Sequence, residues 1–169
     1  MLVRAIQPVD LQFIREELRT HWGDAGIWSI GRRYQADQLP GFVAVDDANT
    51  GGKGISPVHL GLVTYCIHDG GYQGEIVTLS SRREDTGVGI ALLNAAVEAI
   101  RAAGCARALL TTTNDNLRAL GFYQKRGWRL AALHKGFVDE ARKRHPVIPE
   151  VGLNGIRVRD EIELELWVG

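Results

Sequence analysis

Two glycines in the segment "SRREDTGVGIALLNAAVEAI", residues 81–100, stand where an apolar helix is about to begin. A helix N-terminus leaves backbone N–H groups without partners and carries a partial positive charge, so it is a natural anion site. Gly87 and Gly89 remove the side chains that would keep a phosphate at a distance, and Ala91 adds little bulk. The pattern predicts a pyrophosphate cradle formed by backbone amides between Gly87 and Leu92.

Other glycine-rich phosphate motifs fit this chain less well. The dinucleotide fingerprint G-x-G-x-x-G would need a glycine where Leu92 stands, and "GGKGIS" lacks the spacing of a P-loop. A pair of glycines is a weak motif by itself, and a plain loop leading into a helix explains it equally well.

The segments around the glycines favour a phosphate cradle over a plain loop. "EIVTLSSRREDTGVGIALL", followed by "TTTNDNLRALGFYQKRGW", resembles the GNAT family of acetyl-coenzyme A-dependent N-acetyltransferases over about residues 74–130. The family's phosphate motif falls on Thr86-Gly87-Val88-Gly89-Ile90-Ala91, with Thr86 in place of the usual Arg or Gln. Either Arg82 or Arg83 would supply the missing charge, unless both are ordinary solvated arginines.

The resemblance implies a second half of the cofactor site. The strand "EIVTLSS" is expected to splay away from its parallel neighbour "ALLTTT", so that the backbone around Leu79, Ser80 and Ser81 pairs with the pantetheine arm of acetyl-CoA. Asn114 and Asn116 follow the second strand, where the family often places an amide contact to the cofactor. Turn chemistry is the alternative explanation for both asparagines.

The resemblance also implies the catalytic groups. Tyr123, in "GFYQKRGW", matches the tyrosine that lies near the thioester sulfur, where a hydroxyl protonates the departing thiolate. Glu75 matches a position where many relatives keep the base that deprotonates the amine. A core tyrosine and a solvated strand-end glutamate are the alternatives. His68, Asp69 and His134 are weaker candidates for the base, each expected at the surface or in a turn.

The sequence identifies the acceptor of the acetyl group less clearly than the acyl donor. The resemblance implies a primary amine of a small molecule or peptide, and the histidine spacing gives no sign of a metal site. Three aromatic residues either wall the acceptor pocket or pack a helix onto the sheet: Trp22, Trp28 and Tyr34. Three glutamates on the last strand either attract a cationic amine or form a face exposed to water: Glu161, Glu163 and Glu165.

Composition limits the classes of partner. The 169 residues hold 20 Lys and Arg against 20 Asp and Glu, which argues against nucleic acid or an anionic membrane as a partner. Cys66 and Cys105 lack CxxC spacing, so we expect buried free thiols in a reducing, cytoplasmic compartment. No apolar window is long enough to span a membrane. Trp167, near the end of the sequence, suggests a homodimer seam.

The order of elements predicts a mixed α/β architecture in one domain over residues 1–169. The resemblance refines this fold class to a mostly antiparallel central sheet with one splayed parallel strand pair, flanked by helices. Residues 23–40 fit either a second short helix or an ordered loop, and residues 48–57 a flexible hairpin loop. Two functions stay open: an N-acetyltransferase, and a non-catalytic acyl-CoA-binding module.

Overall fold

The computed structural model describes residues 1–46, 57–68, 70–83 and 85–169. The predicted loop at 48–57, apart from Pro57, and Asp69 lie outside these residues. The strands are β1 (Leu2–Ala5), β2 (Gly26–Ser29), β3 (Arg32–Gln35), β4 (Gly41–Val45), β5 (His59–Ile67), β6 (Gln73–Ser81), β7 (Arg107–Thr113), β8 (Arg129–His134) and β9 (Glu161–Trp167). The helices are α1 (Leu11–Trp22), α2 (Val88–Ala102), α3 (Leu117–Gln124) and α4 (Phe137–Arg144). Within the described residues, none of these helices combines the length and apolar character needed to cross a membrane.

Seven of the strands form one mixed sheet in the order β1-β4-β5-β6-β7-β9-β8. Every neighbouring pair in it is antiparallel except β6 and β7, which run parallel and are joined by α2 as the crossover. This topology confirms the predicted fold class.

Helix α2 covers one face of the sheet. Its apolar residues recur at helical spacing and are buried: Val88, Leu92, Leu93, Ala96, Val97 and Ile100. The helix lies close to β6, since a methyl group placed on Gly74 would come within 2.7 Å of the Ile100 side chain. Gly104 follows the helix at a φ of 86°, a conformation that glycine adopts without strain, and ends it where the sequence predicted.

Helix α1 and a two-stranded hairpin lie on the other side. Residues 23–40, expected to be a short helix or a loop, contain strands β2 and β3, paired through a two-residue turn at Ile30 and Gly31. Both turn residues have positive φ, 46° and 72°, as the tightest hairpin turns require. The expectation was wrong because a non-glycine residue holds the first turn position, which hides the usual glycine or asparagine signal.

The parallel strands separate part-way along the sheet. β6 and β7 pair only from Gln73–Ile76 to Arg107–Leu110. Beyond this point β6 stays paired with β5 as far as Ser81, past a shift in register at Thr64 and Tyr65, while β7 stays paired with β9. A gap therefore opens between two strands of the same sheet, which confirms the predicted splay.

The two cysteines are free thiols in different environments. Cys105 is buried, whereas Cys66 is only half-buried. Burial raises the pKa of both thiols, and the negative charge of Glu75 raises the pKa of Cys66 further. The expectation of buried thiols therefore holds in full only for Cys105.

A buried carboxylate joins three elements on the α1 side. Asp10, immediately before α1, is fully buried and accepts hydrogen bonds from two Arg4 nitrogens at 2.7 and 2.8 Å and from the Gln7 amide at 2.8 Å. His59 Nε2 on β5 lies 2.8 Å from the same carboxylate. Burial alone would raise the pKa of Asp10, but these partners outweigh it and hold the pKa at about 2.

We expect Asp10→Asn to reduce the free energy of unfolding at pH 7 by about 2–3 kcal/mol, because it removes the buried charge opposite Arg4. Because folding lowers the pKa of Asp10 from 3.8 to about 2, its ionised carboxylate stabilises the fold above pH 4. This stabilisation is lost as the pH falls through 2. Denaturant titrations at several pH values should therefore show a smaller loss below pH 4 in Asp10→Asn than in the wild type. Glu98→Gln, which alters a pair whose glutamate side chain is 65% exposed, should change stability by less than about 0.5 kcal/mol. Equal effects of the two substitutions would contradict this assignment.

Candidate active site

The β6 edge of the gap presents unpaired backbone groups. Arg82 N donates to Leu60 O at 2.8 Å, and bonded and non-bonded pairs alternate along an antiparallel ladder. Ser80 therefore directs its N–H and C=O towards β5, while Leu79 and Ser81 direct theirs into the gap. Two of the three predicted backbone contacts face the gap, and Ser80 does not.

The N-terminus of α2 lies beside this edge. Gly87 precedes the helix at a φ of 83°, and the amides of residues 87–90 have no hydrogen-bond partner among the described residues. Ala91 N donates to Gly87 O at 3.0 Å, so the free amides end at Ile90 and do not continue to Leu92. A methyl group on Gly89 would lie 3.7 Å from the Phe122 ring, so this position faces the space between α2 and α3.

The loop before α2 is fixed by its own hydroxyl groups. Thr86 Oγ1 and Ser81 Oγ both donate to Arg83 O, at 2.9 and 2.8 Å. Arg82 is bound to the buried Glu17 of α1 at 2.8 Å, so it is committed to the opposite face of the sheet. The side chain of Arg83 is 56% exposed, and it is therefore the better placed of the two arginines proposed to replace the charge missing at Thr86.

The two candidate asparagines have different environments. Asn116 is the N-cap of α3, where its Oδ1 accepts from Ala119 N at 3.1 Å, and its amide nitrogen has no partner within the described residues. Asn114 forms three side-chain hydrogen bonds of 2.9 to 3.1 Å to the backbone of residues 157–160. Asn114 therefore anchors the segment before β9, and Asn116 keeps a free donor.

Tyr123 lies on the α2 side of the sheet. Its side chain is nearly buried, and its ring contacts Phe122 and Trp128 edge-on, with centroids 5.2 and 5.9 Å apart. Burial raises the pKa of Tyr123 far above its ordinary value, so the hydroxyl remains protonated at every pH where the protein would be assayed. No hydrogen bond to this hydroxyl is made by any residue that the structure describes, which leaves it able to donate.

Glu75 lies on the opposite face, because it precedes the core residue Ile76 on the same strand. Its carboxylate is buried and accepts hydrogen bonds from Ser29 Oγ at 2.5 Å and Tyr34 OH at 2.7 Å. Ser29 also lies 2.9 Å from Thr111 Oγ1 on β7, so the hairpin is tied to both strands that border the gap. A solvated strand-end glutamate was the alternative expectation for Glu75, and it was wrong.

His68 completes the contacts of Glu75. Arg32 Nη1 lies 2.6 Å from His68 Nδ1, and a guanidinium can only donate, so Nδ1 is the acceptor. The ring proton of a neutral imidazole is then on Nε2, which lies 3.1 Å from Glu75 Oε2 and donates to it. His68 begins a turn, as one of its two expected placements had it, since Gly71 N donates to His68 O at 2.9 Å. Its side chain is nevertheless only 11% exposed and belongs to this site.

The same residues include a possible set of metal ligands. Cys66, His68 and Glu75 each offer one ligand atom within 4.8 Å of the others. A metal would need the Nε2 lone pair of His68, which is protonated in the observed arrangement, and Arg32 places a positive charge on the other side of the ring. These residues therefore fit a hydrogen-bonded network better than a cation site.

Two cavities lie beside the hairpin. Glu75 opens into a polar cavity of about 260 Å³, whose other charged lining residues are Arg32, Arg107 and Glu163. A smaller cavity of about 110 Å³ lies between Trp28 of the hairpin and Phe137 of α4, with Glu161 at its wall. Of the three predicted aromatic residues, Trp22 packs against the α1 core, Trp28 lines a cavity and Tyr34 binds Glu75.

The glutamates of β9 form no water-exposed row: Glu161 and Glu163 line these cavities, and the Glu165 side chain is only 21% exposed. Glu161 is buried and accepts from Ile30 N at 2.7 Å, and burial raises the pKa of its carboxyl. Glu163 accepts from Arg107 at 3.1 Å and lies 2.9 Å from His134, which was expected at the surface or in a turn. Glu165 lies 2.6 Å from Arg107. The expectation of a solvated face was wrong because the hairpin and α4 cover this side of the sheet.

Comparison with known proteins places this geometry in context. The family model "Acetyltransferase (GNAT) family" matches residues 11–128. The uncharacterized protein YdhI of Bacillus subtilis is 41% identical over 142 residues, which cover 84% of this chain and 82% of YdhI. Arabidopsis thaliana NAA60, solved in complex with acetyl-CoA, is 18% identical with a TM-score of 0.68, covering 99% of this chain and 98% of that one. The spermidine/spermine N-acetyltransferase SpeG of Vibrio cholerae is 16% identical with a TM-score of 0.64, covering 99% and 92%.

We expect Tyr34→Phe to reduce the free energy of unfolding by about 2 kcal/mol, because it removes a hydrogen bond to a buried carboxylate. Chemical denaturation monitored by circular dichroism provides the measurement. Tyr65→Phe is the matched control, since the Tyr65 hydroxyl makes no hydrogen bond within the described residues, and it should cost less than about 0.5 kcal/mol. If both variants lose the same stability, the bond between Tyr34 and Glu75 does not stabilise the hairpin.

Proposed function

Because the chain belongs to the GNAT acetyltransferase family, we propose that it is an N-acetyltransferase that transfers the acetyl group of acetyl-CoA to a primary amine. The observation that carries this proposal is the gap between β6 and β7. Free amides of α2 lie near the end of β6 that borders this gap, and Tyr123 and Glu75 lie on opposite faces of the sheet. One such gap can receive an acyl donor from one face and an amine from the other.

The cofactor half of the site is proposed from the backbone outward. The amides of residues 87–90 would hold the pyrophosphate, because they have no partner among the described residues, lie at a helix N-terminus and carry no obstructing side chain at Gly87 or Gly89. The backbone of Leu79 and Ser81 would pair with the pantetheine amides, as an added strand does at a sheet edge. The free amide nitrogen of Asn116 is placed to donate to the same ligand.

The catalytic half follows from the two faces of the sheet. Acetyl-CoA supplies an activated thioester, and an amine must lose a proton to attack it. Glu75 would receive this proton, directly or through water, since its buried carboxylate is the acceptor that opens into the polar cavity. Tyr123 would donate its proton to the sulfur as the thiolate leaves; burial raises its pKa and so keeps the hydroxyl protonated and available as a donor at neutral pH.

We expect Tyr123→Phe to lower kcat by about 10- to 100-fold, because general acid catalysis contributes on this scale. The Kd for acetyl-CoA should remain within about twofold, as the ring and its packing are retained. Steady-state kinetics over a panel of amines and calorimetric titration measure the two quantities. Tyr72→Phe, at a side chain that is 56% exposed, is the matched control and should leave both unchanged.

Two other outcomes have definite meanings. Equal turnover in Tyr123→Phe and the wild type would remove Tyr123 from its assigned role. Saturable binding of acetyl-CoA without turnover of any amine would favour the non-catalytic acyl-CoA-binding module over the enzyme.

We expect Gly89→Val to raise the Kd for acetyl-CoA at least tenfold, a loss of about 1.4 kcal/mol, because the added side chain would fill the space between α2 and Phe122. The measurement is calorimetric titration of acetyl-CoA, with NAD and ATP as ligands that should not bind. Glu98→Val places the same residue on an exposed position of the same helix and should bind acetyl-CoA normally. Unchanged affinity in Gly89→Val would place the pyrophosphate elsewhere.

A further inference from the structure

Arg32 is the cation in the polar cavity whose charge is not neutralised by any carboxylate that the structure describes. Its contacts are with the His68 ring and the Tyr34 hydroxyl. Burial and the neighbouring Glu75 raise the pKa of Tyr34, so that hydroxyl carries no negative charge. The other arginine of the cavity differs, since Arg107 is paired with both Glu163 at 3.1 Å and Glu165 at 2.6 Å.

The charges of the cavity have a consequence for the acceptor. The negative charge of Glu163 is already balanced by the Arg107 guanidinium at 3.1 Å. Glu75 also accepts hydrogen bonds, but its partners Ser29, Tyr34 and the neutral His68 ring carry no charge. Glu75 is therefore the lining carboxylate whose charge can attract an ammonium group. Arg32 offers the planar, charged donor set that binds carboxylates in pairs of hydrogen bonds. A cavity with one available carboxylate and one available guanidinium complements a molecule that carries both an ammonium and an anionic group. It disfavours a polyamine, whose further positive charges would meet Arg32.

The spacing of the two groups limits the size of that molecule. Arg32 and Glu75 contact opposite nitrogens of the same imidazole, Nδ1 at 2.6 Å and Nε2 at 3.1 Å. The distance between the Arg32 guanidinium and the Glu75 carboxylate is therefore spanned by one imidazole ring and two hydrogen bonds. The amino and carboxylate groups of an α-amino acid, with a hydrogen bond at each end, span a similar interval. Ile30 and Leu109 supply apolar lining for the rest of such a molecule.

We propose that the acceptor is a small amino carboxylate, whose ammonium lies at Glu75 and whose carboxylate binds Arg32; this inference rests on the proposed function. In the reaction the amine nitrogen forms a bond to the acetyl carbon and the carbon–sulfur bond breaks. The ammonium loses two protons in becoming an amide: the first passes to Glu75 before the attack, and the second passes to water as the tetrahedral intermediate collapses. Tyr123 gives its proton to the departing thiolate and recovers one from water. The amide product no longer carries a positive charge, so it loses its attraction to Glu75 and is released.

The test compares acceptors that differ by one charge. Free L-amino acids and their carboxamides have the same side chains and amino groups, but the carboxamides lack the carboxylate. Each is assayed for kcat/KM with the wild type, Arg32→Gln and Arg33→Gln, together with spermidine. Arg32→Gln keeps a hydrogen-bond donor for His68 and removes the positive charge. Arg33 is the matched control because it follows Arg32 on the same strand and points to the other face of the hairpin.

We expect the wild type and Arg33→Gln to prefer the amino acid over its carboxamide by tenfold or more, mainly through KM. Arg32→Gln should reduce this ratio to near one. The inference is overturned if carboxamides or spermidine are the better acceptors of the wild type, or if Arg32→Gln keeps the preference.

Calorimetric titration of acetyl-CoA into the same three proteins separates this inference from the proposed function. Normal acetyl-CoA binding with acetylation of carboxamides, peptides or spermidine, but not of amino acids, overturns the inference and retains the N-acetyltransferase. Failure of the wild type to bind acetyl-CoA overturns both.

Discussion

The early end of the pairing between β6 and β7 is the constraint on which the rest of the site depends. Four residues of each strand are joined, and beyond Ile76 and Leu110 each strand keeps only its outer, antiparallel neighbour. The backbone groups of Leu79 and Ser81 are consequently left without a strand partner at the edge of an otherwise continuous sheet. Because unpaired backbone groups are costly when buried, such an opening is stable only if water or a ligand satisfies them.

The opening also separates two chemical environments. On one face, α2 and the aromatic rings around Tyr123 form an apolar surface in which a hydroxyl stays neutral. On the other face, the hairpin supplies Ser29 and Tyr34 to a buried carboxylate. The proposed proton donor, Tyr123, and the proposed proton acceptor, Glu75, are thereby kept apart by the thickness of one sheet.

The sequence predicted the parts of the structure that depend on local pattern. The spacing of apolar residues in α2, the glycine that ends it and the glycines before it are properties of neighbouring residues, and the structure contains each of them. The resemblance of residues 74–130 to a known family accounted for the splayed strands. The burial of Glu75, in contrast, is imposed by residues 46 and 41 positions earlier, Ser29 and Tyr34, which no local pattern connects to it.

Dependence on residues distant in the sequence also explains the other predictions that were wrong. An alternation of glutamate with apolar residues is the ordinary signature of a half-exposed strand, and only the packing of the hairpin and α4 turns that face of β9 inward. The network of Arg32, His68 and Glu75 was missed because residues 23–40 were not identified as a hairpin. The available signal was the run of strand-forming residues on either side of Ile30 and Gly31.

The hairpin stands outside the seven-stranded sheet as a separate two-stranded unit. It contributes Trp28, Ser29, Arg32 and Tyr34 to the side of the sheet that we propose binds the acceptor. None of its residues lies among the amides at the start of α2 or along the open edge of β6. Substitutions in these few residues can therefore change which amine is accepted while the acyl-donor half is preserved. Under the proposed function, the hairpin is therefore the part of the fold through which evolution can change the amine acceptor while the acyl donor stays the same.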